Sequence, residues 1–154
     1  MNYSEDIIRI YGDRIRIRVC GILENDGKYL LVNHSKLNED NVFWNFPGGG
    51  VDKNESIENT LIREFKEETN IDIKSDKFLF LNQVIASSLH AIELYFSVIA
   101  ENFENKTGHD PEIDIITETK WMTADEILSL PAKYKPTFFS NLKSINDLNF
   151  RNQA

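Results

Sequence analysis

The chain has little that would bind it together covalently or draw it to a charged polymer. It has one cysteine, Cys20, among 154 residues. A lone thiol cannot close an internal disulfide, so nothing in the sequence demands an oxidising compartment. Basic residues are in deficit, with 17 Lys and Arg against 25 Asp and Glu, for a net charge of −8 and a pI near 4.9. That balance argues against a general affinity for nucleic acid or an anionic membrane surface. It leaves a small anionic substrate open, because a bound cation can invert the charge of a pocket locally. The N-terminus, Met1-Asn2-Tyr3-Ser4-Glu5-Asp6, has neither the basic start nor the apolar run of a signal peptide. The most apolar long stretch, 78–100, is broken by Asn82, Gln83, His90 and Glu93, which excludes a membrane-spanning helix. The expected location is the cytoplasm. The three histidines, His34, His90 and His109, fit no zinc spacing.

Hydrophobic residues make up 41% of the chain, enough for the core of one ordinary domain. Arg14, Arg16 and Arg18 alternate with Ile15, Ile17 and Val19, the period of a half-buried strand. Asn25-Asp26-Gly27 is a tight-turn signal, and 28–33 is the return strand of the hairpin. Polar residues 35–42 read as a loop, and the aromatic stretch 43–46 stops at Pro47 and three glycines. Residues 55–69 read as a helix with Asn54 as N-cap and Asn70 at the left-handed C-terminal position. Two strands follow at 77–85 and 89–100, then a polar loop over 101–113 and a strand over 115–122. Thr123 to Glu126 forms a capping box that opens a helix over 124–130, and 136–147 adds a short third helix. No repeat or linker divides the chain. Strands interleaved with helices predict an α/β layer fold.

The central helix carries the chemistry. At about 100° per residue, Ile57, Leu61 and Phe65 form one stripe. Glu64 and Glu68 run along the edge of that stripe, with Glu67 beside them and Glu55 and Arg63 largely on the other side. Three carboxylates turned toward the protein body repel one another more strongly as the local dielectric falls. A divalent cation between them removes that conflict. Cys20, in an apolar strand, reads as a small core residue and not as a nucleophile.

The spacing from Gly49 to Ile71 resembles the Nudix box, G-x5-E-x7-R-E-U-x-E-E-x-G-U with U a bulky apolar residue. Gly49, Glu55, Arg63, Glu64, Phe65, Glu67, Glu68 and Ile71 match, and Asn70 replaces the last glycine. The resemblance extends over roughly 14–130 within a single domain spanning 1–154, which leaves a short helical extension at the C-terminus. It implies an α/β/α sandwich with a mixed sheet. It also implies hydrolysis of a nucleoside diphosphate linked to another group, with Mg²⁺, or Mn²⁺ in its place, as cofactor. Glu64, Glu67 and Glu68 would bind metal with the Gly49 carbonyl, and Gly48 would let backbone approach the ion or the phosphates. Arg63 would hold a box glutamate in place, and Glu55 would brace loop and helix. The base would be Glu64 or Glu67, or a carboxylate from a later loop. For the latter, Glu112, Asp114 and Glu118 are candidates, Glu118 being preferred for its place three residues before Trp121. Arg18, His34 and Trp44 are candidates for substrate contact. The implied partner is a small phosphorylated molecule, and a homodimer is compatible with the family.

Other readings fail on spacing. A P-loop needs Gly-Lys-Ser/Thr where Lys53-Asn54 stands, and a dinucleotide fingerprint needs glycine at Lys53. A calcium loop begun at Asp52 would put Ile57 at its glycine and Arg63 at its last ligand. A Nudix-fold module that binds without cleaving is the rival from another class, and it is disfavoured because every box acid is retained. Isomerase chemistry on an isoprenoid diphosphate would need a cysteine near the metal, a place Cys20 does not suit.

Overall fold

A computed structural model describes residues 3–86, 88–108 and 116–141. Among these described residues, seven strands form one mixed sheet. In chain order they are β1 (Ile15–Asn25), β2 (Lys28–His34), β3 (Trp44–Asn45), β4 (Gly48–Gly50), β5 (Lys74–Ala86), β6 (Leu89–Ile99) and β7 (Ile116–Thr123). The main path runs β3-β2-β1-β6-β5, with β4 added to β1 and β7 to β2. Only the β1–β6 pair is parallel; the other paired strands are antiparallel. Among the described residues, three α-helices accompany the sheet: α1 (Glu5–Tyr11), α2 (Ile57–Thr69) and α3 (Ala124–Ser129).

β1 is the hinge of the design. Its first part pairs with β4 and β6, and its last residues turn into the hairpin with β2 through Asp26 and Gly27, both at positive φ. Two consecutive left-handed residues suit the twist of a tight hairpin, which explains why Asp-Gly stands there. Side chains of β1 alternate between two cores. Val19 and Leu23 pack with Leu61 and Phe65 of α2 and with Val98. Cys20 and Ile22 point the other way, toward Phe46, Tyr95, Ile127, Phe138 and Phe139. One face of the sheet thus carries α2, and the other carries α3 and the two short 3₁₀ turns at Ala132–Tyr134 and Thr137–Asn141. This is the expected α/β/α sandwich.

The ends of α2 are set by local chemistry. Ser56 caps it, its Oγ accepting from Asn59 N at 3.1 Å; the predicted cap, Asn54, sits two residues earlier at positive φ. Asn70 adopts the left-handed conformation at φ 60° and ψ 17°, and its N–H reaches Lys66 O. Asparagine therefore does here what glycine does more often. Leu61 and Phe65 are buried as the periodicity predicts, whereas Ile57 is 40% exposed on the first turn. The capping box at Thr123 forms as predicted. The third helix appears only as the 3₁₀ turn at Thr137–Asn141, and 142–147 lies outside the described residues. The sequence reading missed α1. Ser4 caps it, and Ile7 and Tyr11, four apart, pack against Val32 and Ile116. Among the described residues, no helix is long and apolar enough to cross a membrane.

Gly21 shows how tightly α2 seats. A Cβ there would stand 2.6 Å from Phe65 Cε2 and 3.0 Å from Val98 Cγ1. Gly21→Ala should therefore cost about 1–3 kcal/mol through overpacking. A denaturant titration should move to a lower midpoint at unchanged slope; an unmoved midpoint would show that α2 can ride outward freely.

Candidate active site

Gly48, Gly49 and Gly50 form β4, laid directly on β1. Only glycine allows this. A Cβ on Gly48 would collide with Val19 O and lie 2.7 Å from Cys20 Cα, and a Cβ on Gly49 would fall on the Glu64 carboxyl group. Two of the box acids, Glu64 and Glu68, are therefore pressed against bare backbone. Glu68, 1% exposed, accepts a hydrogen bond from Gly48 N at 2.9 Å.

Arg63 organises the rest. Its Nε and Nη2 donate to both oxygens of Glu55, at 2.8 and 2.9 Å, and Thr60 Oγ1 adds a third donor at 2.7 Å. Its Nη1 donates to Glu64 Oε1 at 2.8 Å and to Glu67 Oε2 at 3.1 Å. Asp52 stands 3.6 Å from Nη2. A helical wheel places Arg63 one turn before Glu67 on the same face, and its long stem lets the guanidinium reach Glu64 and Glu55 as well. The two-pronged Arg63 contact holds the Glu55 carboxyl down at about 2, well below the usual carboxylate range.

These groups border a cleft of about 370 Å³, in the size range of small-molecule sites. Its lining also includes Tyr3, Ile7 and Tyr11 from the N-terminal segment, with Phe43, Val84 and Leu89. A buried polar network forms the floor. Arg18 Nη1 donates to Glu93 Oε1 at 2.7 Å, and its Nη2 lies 3.4 Å from Gly48 O. Glu93 Oε2 accepts from Asn82 at 3.0 Å and from Tyr95 OH at 2.9 Å. Tyr95 in turn lies 3.4 Å from Asn45. His34, 4% exposed, has Nε2 at 4.0 Å from Glu68 Oε1, and its Nδ1 has no hydrogen-bond partner among the described residues. Burial, reinforced by Arg18, lowers its pKa to about 3, so the imidazole is neutral near pH 7. Cys20, fully buried, is pushed up to about 12, chiefly by desolvation, and is a protonated core thiol.

The structure thus brings Gly48, Gly49, Arg18, His34, Arg63, Glu64, Glu67 and Glu68 to one cleft, with Glu55 behind Arg63. It does not bring Trp44 or Glu118 there. Trp44 is buried in the core beside Leu31 and Met122, and on the two-residue β3 it is the neighbour, Asn45, that lines the cleft. Glu118 is exposed on β7, paired with Asn33. Glu112, Asp114 and His109 lie outside the described residues. Sequence reasoning missed Asn45, Asn82, Glu93 and Arg16. A lone acid between Ile92 and Leu94 was a visible signal for Glu93, but its partner was not, because Arg18 faces it only through the β1–β6 register.

The donors suit a hard cation chemically, being carboxylate and carbonyl oxygens. As positioned, no group of three His, Cys, Asp or Glu side chains among the described residues is gathered closely enough to hold a metal ion. The contacts give the reason. Arg63 Nη1 shares the Glu64 and Glu67 oxygens that a cation would take, while Nε and Nη2 keep Glu55.

The fold and this clustering on one glycine strand define a hydrolase-type site for phosphorylated molecules, and comparison with known proteins agrees. The model of the NUDIX domain matches residues 13–142, so the chain belongs to the Nudix family. It is 28% identical over 113 residues to the phosphatase NudJ of Escherichia coli K12, which covers 73% of this chain and 71% of that protein. A NUDIX hydrolase from Nitrosomonas europaea superposes with a TM-score of 0.70 at 22% identity, over 82% of this chain and 84% of that one. The MutT protein of Methanosarcina mazei superposes with a TM-score of 0.67 at 22% identity, over 81% and 87%. The chain is a Nudix hydrolase acting on a phosphoanhydride bond.

The Arg18–Glu93 pair makes a separate prediction. Its side chains are 18% and 5% exposed, so Arg18→Met leaves a buried carboxylate without its cation. That should cost about 3–5 kcal/mol in a denaturant titration. A variant as stable as the parent would mean that the pair is solvated in solution.

Proposed function

We propose that the protein is a Mg²⁺-dependent pyrophosphohydrolase of small substrates in which a nucleoside diphosphate is linked to a second group. The observation that carries this reading is that Glu64 meets Gly49 and Glu68 meets Gly48 at the edge of a cleft sized for a small molecule, which Glu67 also lines. Glu64, Glu67, Glu68 and the Gly49 carbonyl would hold the metal. When bound, Mg²⁺, or Mn²⁺ in its place, would neutralise phosphate charge and lower the pKa of the attacking water. Glu55 anchors Arg63, and Arg63 fixes the orientation of Glu64 and Glu67. Glu67, at 27% side-chain exposure against 10% for Glu64 and 2% for Glu68, is the acid most open to water, and we assign it the base. Neutral His34 offers a hydrogen bond to the substrate at the cleft wall. The reading also takes the chain as one cytoplasmic domain.

The alternative, a binding module without turnover, lacks a supporting observation, since the whole acidic set is retained. Nucleotide sugars, dinucleoside polyphosphates and nucleoside triphosphates should be assayed for phosphate-containing products with Mg²⁺ and with chelator. Hydrolysis confined to the Mg²⁺ reactions is expected; tight binding of a panel member without hydrolysis would favour the binding module. Glu67→Gln should lower kcat by about 10²–10⁴-fold, the range for loss of a positioned base. Its thermal transition should stay that of the parent. A folded variant with parental kcat would remove Glu67 from the proton transfer.

A further inference from the structure

The last turn of α2, which carries Glu67 and Glu68, is gripped by a stretch of chain that forms no regular element. Residues 105–108, between β6 and β7, are bonded on two sides. Toward the helix, Lys106 N donates to Thr69 O at 2.9 Å and Gly108 N donates to Glu68 O at 2.7 Å. These carbonyls belong to the helix end, where no partner exists within the helix itself. Toward β7, Asn105 Nδ2 donates to Thr119 Oγ1 at 2.7 Å, and Trp121 Nε1 donates to Asn105 Oδ1 at 2.9 Å. Thr119 N also donates to Thr107 Oγ1 at 3.2 Å. Backbone at 106 and 108 thus meets the helix, while side chains at 105 and 107 meet the strand. The fit is close as well as bonded. A Cβ on Gly108 would collide with Glu67 O and stand 2.9 Å from Glu68 C. Glu68 is therefore held twice by glycine N–H groups: at its carboxylate by Gly48 and at its carbonyl by Gly108.

We infer that Asn105 and Gly108 are positioning residues for the metal site: they fix the helix turn from which Glu67 and Glu68 reach the ion. The proposal rests on the hydrolase reading above, in which these two acids hold the metal. Three arguments favour it. Helix ends fray unless their terminal carbonyls are satisfied, and this end carries two of the ligands. Like charges one turn apart repel, so without a restraint the metal-free turn would relax away from its binding geometry. Mg²⁺ is exacting, with near-octahedral oxygens at about 2.0–2.1 Å, so a small shift of the backbone behind two ligands weakens it. Asn105 acts at one remove. Its paired bonds to Thr119 and Trp121 tie the segment to β7, which is itself paired with β2 in the sheet.

The test is titration of the full chain with Mn²⁺ in the absence of substrate, read by the electron paramagnetic resonance signal of the free ion. Asn105→Ala and Gly108→Ala should each weaken Mn²⁺ binding by about 10- to 100-fold, the range for losing an outer support of metal ligands. Asn105→Asp should restore most of the affinity, because a carboxylate still accepts from Trp121 Nε1 and from the Thr119 hydroxyl. Thr123→Ala is the control. It removes the cap of α3, which accepts from Glu126 N, and should lower the thermal transition while leaving Mn²⁺ affinity at the parent value. If Gly108→Ala does not fold, the Asn105 pair decides alone. Variants that melt earlier but bind Mn²⁺ as the parent does would overturn the proposal, since the segment would then support only the fold. Equal weakening by Thr123→Ala and Asn105→Ala at equal loss of thermal stability also overturns it, and so does a parent that binds no Mn²⁺. A parent that binds Mn²⁺ but hydrolyses no phosphoanhydride would defeat the functional reading instead, and the titration would still decide the roles of Asn105 and Gly108.

Discussion

The site depends on one guanidinium. Three box acids and Glu55 are crowded around α2 and the turn before it, and Arg63 is the group that makes this arrangement tolerable. Its fixed fork divides the work geometrically. Nε and Nη2 make a two-pronged contact with Glu55, which ties the turn after β4 to the helix. Nη1 lies between Glu64 and Glu67. A lysine could supply the charge but not this division, because it has no planar fork. The Glu55 anchor uses none of the oxygens a metal would need, so it can persist while Nη1 and a cation compete for Glu64 and Glu67.

The glycine strand is the second constraint. Its closeness to β1 brings backbone within reach of Glu64 and Glu68 and leaves no room for side chains at Gly48 or Gly49. The buried Glu68 accepts a hydrogen bond from Gly48 N, so a backbone dipole helps to hold this carboxylate. Beneath it, Arg18, Glu93, Asn82 and Tyr95 form a floor in which Glu93 is met by Arg18 from β1, by Asn82 from β5 and by Tyr95 two residues further along β6. Burial of such a network is costly unless its members are paired, and here they are. The cleft is therefore polar at its base and apolar along the wall built by α1.

The legible part of this structure was the local part. The Asp26-Gly27 hairpin, the left-handed Asn70 and the Thr123 capping box follow from residue-level chemistry, and all three form. The clustering of Glu64, Glu67 and Glu68 followed from helical periodicity alone. The parts that were not legible depend on long-range register or on side-chain reach. Arg18 meets Glu93 only because β1 and β6 run parallel in one particular register. Arg63 reaches Glu55 and Glu64 by its stem, which a wheel of Cα positions does not show, although its i,i+4 place beside Glu67 is visible there. Trp44, a candidate for substrate contact, packs in the core while its neighbour Asn45 lines the cleft, because a two-residue strand gives no alternation to read. α1 was missed because its seven residues offer only one i, i+4 pair, Ile7 and Tyr11. Its stability comes from packing, as is general for short helices.

The central claim is that the box acids are a cation site that Arg63 shares. The most direct measurement is the nitrogen NMR signal of the Arg63 side chain during Mg²⁺ titration without substrate. The account predicts a saturable change at the Nη nitrogens that Glu68→Gln abolishes or moves to much higher Mg²⁺, with Nε remaining hydrogen-bonded to Glu55. An Arg63 spectrum indifferent to millimolar Mg²⁺ would contradict it, because the acids would then belong to the arginine alone.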